Sequence, residues 1–349
     1  MSRLIRQFFT SATRNKTVSQ ALTRLEQAGQ GRPNRLVVLT YHHVDVPEAF
    51  DEQMRYLATN YHVVSMPEVL KVYQHGGRLP SQALMITFDD AYIDFMIHAW
   101  PILKRYQLPV TLFVPTAFPD HPERSFWWEQ LELATRDTHR RDELDTSFGR
   151  FSLATATRRA SAFKRLRNYA KTLPHREAIT WVGDICQELG APPLQQTILK
   201  WDDLRQLARE GVTLGAHTQN HPLMNRISVQ EAQSEALGSL RDIEREVGLA
   251  LPIFAYPGGS LDDLVVAALE GAGFLLAFTT VRGTNDLLQA DRLRLRRNNV
   301  GRRATLAVLR ARLLQSSFYF NRLRPEGGRK LTASRKLHAF KTSIKREST

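Results

Sequence analysis

Two aspartates stand side by side at the end of an apolar run, in the segment ITFDDAY at residues 86–92. Adjacent carboxylates repel, so keeping Asp89 and Asp90 together at the end of a predicted strand calls for a nearby positive charge or a chemical use for both. Aspartates in such places also cap helices or lie in solvated turns. That alternative stays open on this motif alone.

A second segment, HTQNHP at residues 217–222, carries two histidines four residues apart. This spacing puts the imidazoles of His217 and His221 on one helical face or in one tight turn, where both can reach a metal. Thr218 stands where a zincin motif has its glutamate base, so the base must come from elsewhere. With one aspartate as third ligand, the set suits zinc, iron or another divalent ion, and the second aspartate can accept a proton from water.

Both motifs lie at the ends of short apolar segments that alternate with helical patterns. Such alternation implies a parallel sheet covered by helices, and the closed form of this sheet is a (β/α) barrel. In barrels of this kind the active site lies where the strands end and the following loops begin. We therefore predict an α/β barrel with both motifs on one rim. The six predicted strands are residues 35–44, 83–90, 109–116, 211–218, 252–259 and 274–281.

Residues 118–200 interrupt this alternation with a polar stretch, whose apolar spacing predicts helices with one buried face. Trp127 and Trp128 in this stretch are predicted to be core anchors, with stacking on a sugar ring as the alternative. The predicted domains are a basic helical extension at residues 1–34, a barrel domain at 35–301 with a helical insertion at about 118–200, and a basic helical or flexible tail at 302–349.

The net charge of +13 is concentrated at the two ends of the chain. Residues 1–35 hold seven Lys/Arg and one Glu, and residues 302–349 hold thirteen Lys/Arg and two Asp/Glu, which leaves −4 for residues 36–301. An enzyme acting on nucleic acid usually places its basic surface beside its chemistry. We therefore predict that nucleic acid is not a partner.

The basic ends favour contact with an anionic membrane surface. Leu306, Leu309 and Leu313 fall on one helical face among arginines, a pattern typical of such helices. Solvated tails that keep the protein soluble are the alternative. Cys186 is the single cysteine, and neither a secretory apolar run nor a membrane-spanning stretch is found. We expect a cytoplasmic protein, peripheral at the inner face of the membrane if the ends bind lipid.

The motifs TFDD at 87–90, HTQNHP at 217–222 and YPGG at 256–259 resemble those of the NodB-homology polysaccharide deacetylases, carbohydrate esterase family four. The flanking segments YHHV, LPVTLFVPT and GVTLGAHT resemble the branch that acts on bacterial exopolysaccharides and cell-envelope sugars. The likeness covers roughly residues 36–300. It implies a distorted (β/α) barrel and the metal-dependent removal of an N-acetyl group, or sometimes another acyl group, from a sugar.

Carried over by position, the resemblance makes Asp89 the catalytic base and makes Asp90, His217 and His221 the metal ligands. The implied cofactor is a divalent metal, zinc in the first place, with cobalt, nickel and iron as alternatives. The oxyanion is expected to be held by the metal and by main chain of the YPGG loop, where glycines allow close approach. The candidate residues of that loop are Tyr256, Pro257 and Gly258.

Two departures from the family pattern concern the support of the catalytic aspartate. Ala255 stands where the family often has an arginine that steadies this aspartate. We predict that Arg297 replaces it, with a simple surface charge as the alternative. Ala91 follows TFDD, where the family usually has glycine.

A third departure concerns the proton donor. The family commonly has a late histidine that protonates the leaving amine, but no histidine lies between residues 222 and 337. His42 and His43 are the candidate substitutes because TYHHV ends a predicted strand on the catalytic rim. Structural, hydrogen-bonded histidines are the alternative.

Together these features predict a metal-dependent hydrolase that removes an N-acetyl group from an amino sugar of a bacterial polysaccharide or cell-envelope glycan. The expected partner is an N-acetylated glycan or a lipid-linked sugar. One alternative is a deformylase or O-deacetylase that acts on a lipid-linked sugar. Another is an inactive, metal-bound barrel that only binds carbohydrate.

Overall fold

The computed structural model describes residues 20, 23–24, 34–121, 123–192, 194 and 197–319. Most of the predicted N-terminal extension lies outside these ranges, as does the predicted tail beyond residue 319. Within them, none of the helices combines the length and apolar character needed to cross a bilayer.

The described residues form eleven strands, most of them in one sheet that is parallel except for β10, which runs antiparallel to β1. The strands are β1 (Arg35–Tyr41), β2 (His62–Val63), β3 (Ala83–Asp89), β4 (Val110–Val114), β5 (Glu143–Thr146), β6 (Gly149–Ser152), β7 (Thr213–Ala216), β8 (Ile253–Ala255), β9 (Leu276–Phe278), β10 (Thr284–Asp286) and β11 (Asn298–Asn299). The spatial order of the large sheet is β10-β1-β3-β4-β7-β8-β9, with β11 beside β1 and β2 beside β3.

Helices follow most of these strands and cover the sheet. They are α1 (Pro47–Asn60), α2 (Met66–His75), α3 (Trp100–Arg105), α4 (Trp127–Asp137), α5 (Ala156–Ala170), α6 (His175–Glu188), α7 (Trp201–Arg209), α8 (Val229–Val247), α9 (Asp263–Gly271) and α10 (Leu306–Tyr319). A π-helical turn at Phe95–Ala99 leads into α3, and short 3-10 turns lie at Met224–Arg226 and Pro257–Gly259.

All six predicted strands are present and mutually parallel, and the prediction of a distorted (β/α) barrel is confirmed. The segment after β9 links the two edges of the sheet. Leu295 bridges Phe278 of β9, and Asn298 of β11 pairs with Leu39 of β1. The short strands β10 and β11 were not predicted because their sequences, TND and NN, carry no apolar signal.

The alternation of side chains along β3 decides which residues reach the barrel interior. Ile86 and Phe88 belong to the hydrophobic cluster that includes the covering helices, whereas Met85 belongs to the cluster with Phe113 of β4. Because strand side chains alternate between faces, Asp89 points to the same side as Met85. The strand therefore delivers a carboxylate to the interior of the barrel at its carboxyl end.

The insertion between β4 and β7 has its own small hydrophobic core, built from α4, α5, α6 and the hairpin β5–β6. The prediction of helical structure is wrong at residues 143–152, where the hairpin lies. Leu144 and Phe151 face each other across it and are buried, while Asp145 and Arg150 are exposed. This alternation with period two is the pattern of a half-buried strand.

The leucine face of α10 packs against the barrel domain. Leu309 and Leu313 are fully buried, and Leu306 packs against the same core cluster. The neighbouring Arg310 is buried as well, with its guanidinium over the ring of Tyr56. The prediction that these leucines face lipid is therefore wrong, because the barrel domain already covers them.

Candidate active site and metal centre

The carboxylate of Asp89 is held by Arg297, which comes from the segment that closes the barrel. The two guanidinium nitrogens Nη1 and Nη2 donate to the two carboxylate oxygens, each at 2.7 Å. Nε of the same arginine donates to the carbonyl of Thr279 at 3.0 Å, and Arg297 is fully buried. Burial alone would raise the pKa of Asp89, but Arg297 lowers it. Asp89 is therefore kept ionised.

Asp90 faces two imidazoles. Its Oδ1 lies 3.4 Å from Nε2 of His217 and 3.3 Å from Nε2 of His221, and the three potential ligand atoms lie within 4.8 Å of one another. This Oδ1 is buried and accepts no hydrogen bond from any residue that the structure describes. An orphaned carboxylate oxygen between two imidazole nitrogens fits a divalent cation.

The backbone around these ligands is strained. Asp90, Ala91, Thr218 and His221 all have left-handed φ values, of 75°, 53°, 63° and 55°. Such conformations cost non-glycine residues about 1–2 kcal/mol each and persist only where surrounding structure enforces them. The two histidines consequently share a tight turn, one of the two predicted arrangements. In that turn the hydroxyl of Thr218 accepts the N–H of His221 at 2.9 Å.

A hydrogen bond to the main chain fixes the orientation of the His217 imidazole. Its Nδ1 lies 2.7 Å from the carbonyl of Ala255, which assigns the proton to Nδ1 and leaves Nε2 available to a cation. Burial would lower the pKa of His217, but Asp90 and Asp89 raise it, whereas burial lowers the pKa of His221. In the absence of a cation, His217 thus holds a proton more readily than His221.

The structure also tests the alternative that Asp89 and Asp90 cap the following helix. Neither carboxylate accepts a hydrogen bond from the amides at the start of the following helix, among the contacts of the described chain. Asp89 is engaged by Arg297 and Asp90 by the histidines. Capping therefore does not explain why two aspartates stand together here.

The structure distinguishes the two candidate proton donors. Nε2 of His42 lies 3.9 Å from Oδ2 of both Asp89 and Asp90, and its side chain is 34% exposed. His43 also faces the cavity, but its Nδ1 lies 3.3 Å from Asp94, and its ring packs on Tyr92 with centroids 3.8 Å apart. His42 is thus the histidine nearer to both carboxylates and the more exposed of the two.

The loop expected to hold the oxyanion is only partly in position. Tyr256 is fully buried, its hydroxyl donates to the carbonyl of Leu293, and its N–H donates to Phe278. Pro257 is buried and has no N–H to offer. The expectation is therefore wrong for these two residues. Gly258 lines the cavity, with a φ of 60° that suits glycine.

A cavity of about 460 Å³ opens above these residues. One wall comes from the barrel rim and the other from the insertion. Trp128 stacks on Phe126 at 4.4 Å and packs on His221 at 4.9 Å, so it both anchors the insertion and borders the candidate metal site. Burial raises the pKa of Glu129 beside it. The insertion contributes these cavity residues: Trp127, Trp128, Glu129, Glu132, Arg167 and Lys171.

The last four of these residues were not among the residues predicted from the sequence. They lie on α4 and at the end of α5, in helices whose packing on the barrel rim cannot be read from local patterns. The one available signal was an acid directly after an aromatic run, in FWWEQ.

Replacement of Arg297 by methionine is expected to lower the free energy of unfolding at neutral pH by about 3–5 kcal/mol, because Asp89 would become an unpaired buried carboxylate. The wild-type contribution is present above the unfolded pKa of about 3.9 and is lost as pH falls through the depressed folded pKa. In the variant, burial raises the pKa of Asp89, so stability should instead fall as pH rises. Denaturant titrations at several pH values measure this.

Arg296→Met is the matched control, since Arg296 is adjacent and makes no ion pair among the described residues. Equal losses of stability in the Arg296 and Arg297 variants would show that the Asp89 ion pair does not stabilise the fold.

Comparisons with known proteins point to one family. Residues 153–277 match the family model described as Polysaccharide deacetylase. The Bacillus subtilis protein YxkH, named as a polysaccharide deacetylase, is 20% identical over 260 residues, which cover 72% of this chain and 67% of YxkH. The poly-beta-1,6-N-acetyl-D-glucosamine N-deacetylase of Escherichia coli K12 is 30% identical over 102 residues, which cover 26% of this chain and only 15% of that protein.

Solved structures show the same fold. The deacetylase PplD of Streptococcus pyogenes, in complex with acetate, aligns with a TM-score of 0.55 at 19% identity and covers 82% of this chain and 99% of its own. IcaB from Ammonifex degensii aligns with a TM-score of 0.53 at 18% identity and covers 80% and 97%. At these identities the likeness supports the barrel architecture.

Proposed function

We propose that the chain is a member of the polysaccharide deacetylase family, which its matched segment and its relatives resemble, and that it removes an N-acetyl group from an amino sugar of a bacterial polysaccharide or cell-envelope glycan. The observation that carries this proposal is the division of labour between the adjacent aspartates. Asp89 is paired with Arg297 and ionised, while Asp90 faces two histidines. One aspartate is thus suited to accept a proton and the other to bind a cation.

Asp90, His217 and His221 are the residues that would hold the cation. Two imidazole nitrogens and one carboxylate oxygen suit zinc, and cobalt, nickel and iron also accept this set. When bound, a divalent cation supplies Lewis-acid polarisation of the amide carbonyl and lowers the pKa of water.

We assign the remaining steps to three side chains and to the main chain of one glycine. Asp89 takes the proton of the attacking water, and Arg297 holds the carboxylate in place for this. His42 gives a proton to the leaving amine from the rim of the cavity. Main chain at Gly258 is the proposed partner of the oxyanion.

The test is an acetate-release assay on N-acetylglucosamine oligomers, with and without chelator and with re-added zinc. Chelator-sensitive acetate release would support the proposal. Release of formate from an N-formyl sugar, or of acetate from an O-acetyl sugar only, would identify a deformylase or O-deacetylase instead. No release from any acylated sugar by metal-loaded protein would leave the inactive carbohydrate-binding barrel. The ionised, unliganded carboxylate of Asp89 argues against that last outcome.

His42→Gln is expected to lower kcat/KM on an N-acetyl sugar by roughly 10²–10⁴-fold, the usual worth of a positioned acid. Hydrolysis of 4-nitrophenyl acetate should fall far less, because its leaving group needs no protonation. His43→Gln should lose less on the amide, since His43 is tied to Asp94 and Tyr92. Wild-type rates in metal-replete His42→Gln on the amide would eliminate His42 as the acid.

A further inference from the structure

Two cations of the insertion face the cavity without an acidic partner. Arg167 on α5 and Lys171 directly after it both line the cavity. Neither makes an ion pair within 4.0 Å in the described part of the chain, whereas Arg136, Arg140 and Arg150 of the insertion do. Nε of Arg167 is moreover buried and has no hydrogen-bond partner there. A buried N–H group without an acceptor lowers the stability of the fold, and a ligand that accepts its hydrogen bond would remove this cost.

The residues around Arg167 and Lys171 do not neutralise the two cations. Lys171 is exposed at the cavity, but crowding by the surrounding protein atoms and then the nearby Arg167 lower its pKa, and no acidic group contributes to the shift. Glu129 and Glu132 line the same cavity from α4, but Thr197 donates to Glu129, and Glu132 lies near Arg136. Neither acid lies within 4.0 Å of a nitrogen of Arg167 or Lys171, so the two cations at the end of α5 have no direct ion-pair partner in the described part of the chain.

The position of these charges bears on the substrate. The polymer named for the Escherichia coli relative is an uncharged N-acetylglucosamine chain, and each deacetylation adds a positive ammonium group. Two uncompensated cations would repel such a product. An anionic group on the sugar would instead accept a hydrogen bond from the buried Nε of Arg167 and raise the pKa of Lys171.

We infer that Arg167 and Lys171 form an anion-binding subsite beside the deacetylation centre, and that the substrate is an amino sugar carrying a phosphate or carboxylate group. This inference rests on the proposed function. Arg167 is suited to two-pronged recognition of such an oxyanion, and Lys171 to a point contact. The guanidinium of Arg167 also packs on Phe163, 5.1 Å from the ring centroid, and this contact restricts the side chain.

The experiment compares kcat/KM for three probes: N-acetylglucosamine, N-acetylglucosamine 1-phosphate and N-acetylmuramic acid. Wild-type protein is expected to prefer at least one anionic probe over the neutral one, and the preferred probe distinguishes phosphate from carboxylate. Arg167→Gln and Lys171→Gln should each lower the anionic-to-neutral ratio about tenfold, as expected for the loss of a charge-assisted hydrogen bond. Thermal melts check that each variant is folded.

Arg158→Gln and Lys164→Gln are the matched controls, since both residues are exposed on α5 and do not line the cavity. They should leave the ratio unchanged. An anionic-to-neutral ratio that is the same in the wild type and in both α5 cavity variants overturns the subsite.

A binding measurement separates this inference from the proposed function. Titration calorimetry of the full chain with N-acetylglucosamine 1-phosphate and N-acetylmuramic acid reports binding even if no probe is deacetylated. Weaker binding of an anionic probe to the two cavity variants, but not to the controls, would support the subsite while the deacetylase function fails. Equal binding by all five proteins would overturn the subsite irrespective of turnover.

Discussion

Asp89→Asn is expected to lower kcat/KM on an N-acetyl sugar by roughly 10²–10⁴-fold while the protein keeps its metal. Asparagine has the size of aspartate and can still contact Arg297, but it cannot accept a proton from water. The metal ligands lie on the neighbouring residue and in the turn after β7, so they remain in place. Steady-state kinetics and metal analysis on the same preparation test both parts.

Asp90→Asn is the informative partner of this variant. It weakens a ligand and leaves the base, so its activity should recover in part when excess zinc is added, whereas Asp89→Asn should not recover. Full activity in folded Asp89→Asn would refute the role of Asp89 as base. If both aspartates only capped a helix, each variant would instead keep its turnover and nearly all of its stability, because asparagine caps a helix about as well as aspartate.

Arg297 illustrates what the sequence could and could not predict. A missing arginine at Ala255 and an arginine late in the barrel domain suggested a substitution across a distance of some forty residues. The sequence could not show that residues 295–299 cross between β9 and β1, because strands of two or three polar residues carry no periodic signal. That crossing is what brings Arg297 to Asp89.

The ligand set was predictable for a different reason. Asp90, His217 and His221 each follow a strongly apolar strand, and the carboxyl ends of parallel strands meet at one rim. Tyr256 also follows such a strand, yet its ring turns into the core and its hydroxyl bonds to Leu293. Position on the rim is set by the strand, but side-chain direction depends on packing that local sequence does not encode.

The insertion was the least predictable part. Its many charged residues obscure the apolar periodicity, so the hairpin at residues 143–152 could not be predicted. The residues that line the cavity could not be predicted either, because they depend on how the insertion packs on the barrel. Trp128 shows that the two interpretations of the tryptophan pair were not exclusive. It packs on Phe126 and also borders His221 in the cavity.

His217→Ala, His221→Ala and Asp90→Ala are each expected to lose stoichiometric metal, and with it activity, because three protein ligands are the set that the described residues offer. The loss should be at least about 10²-fold, since even residues that only support a ligand typically cost 10–100-fold in affinity or activity. Metal content after dialysis and acetate release measure the effect. His75→Ala, an exposed histidine at the end of α2, is the control.

The metal affinity should also depend on pH in a particular direction. Asp90 and Asp89 raise the pKa of His217 against its burial, and only neutral imidazole can bind a cation, so binding must displace this proton. Affinity is therefore expected to weaken as pH falls through the pKa of His217, with protons released on binding. Calorimetry in buffers of different ionisation enthalpy counts those protons.

Binding of one zinc equivalent by any of the three alanine variants, with wild-type affinity, would remove that residue from the metal centre.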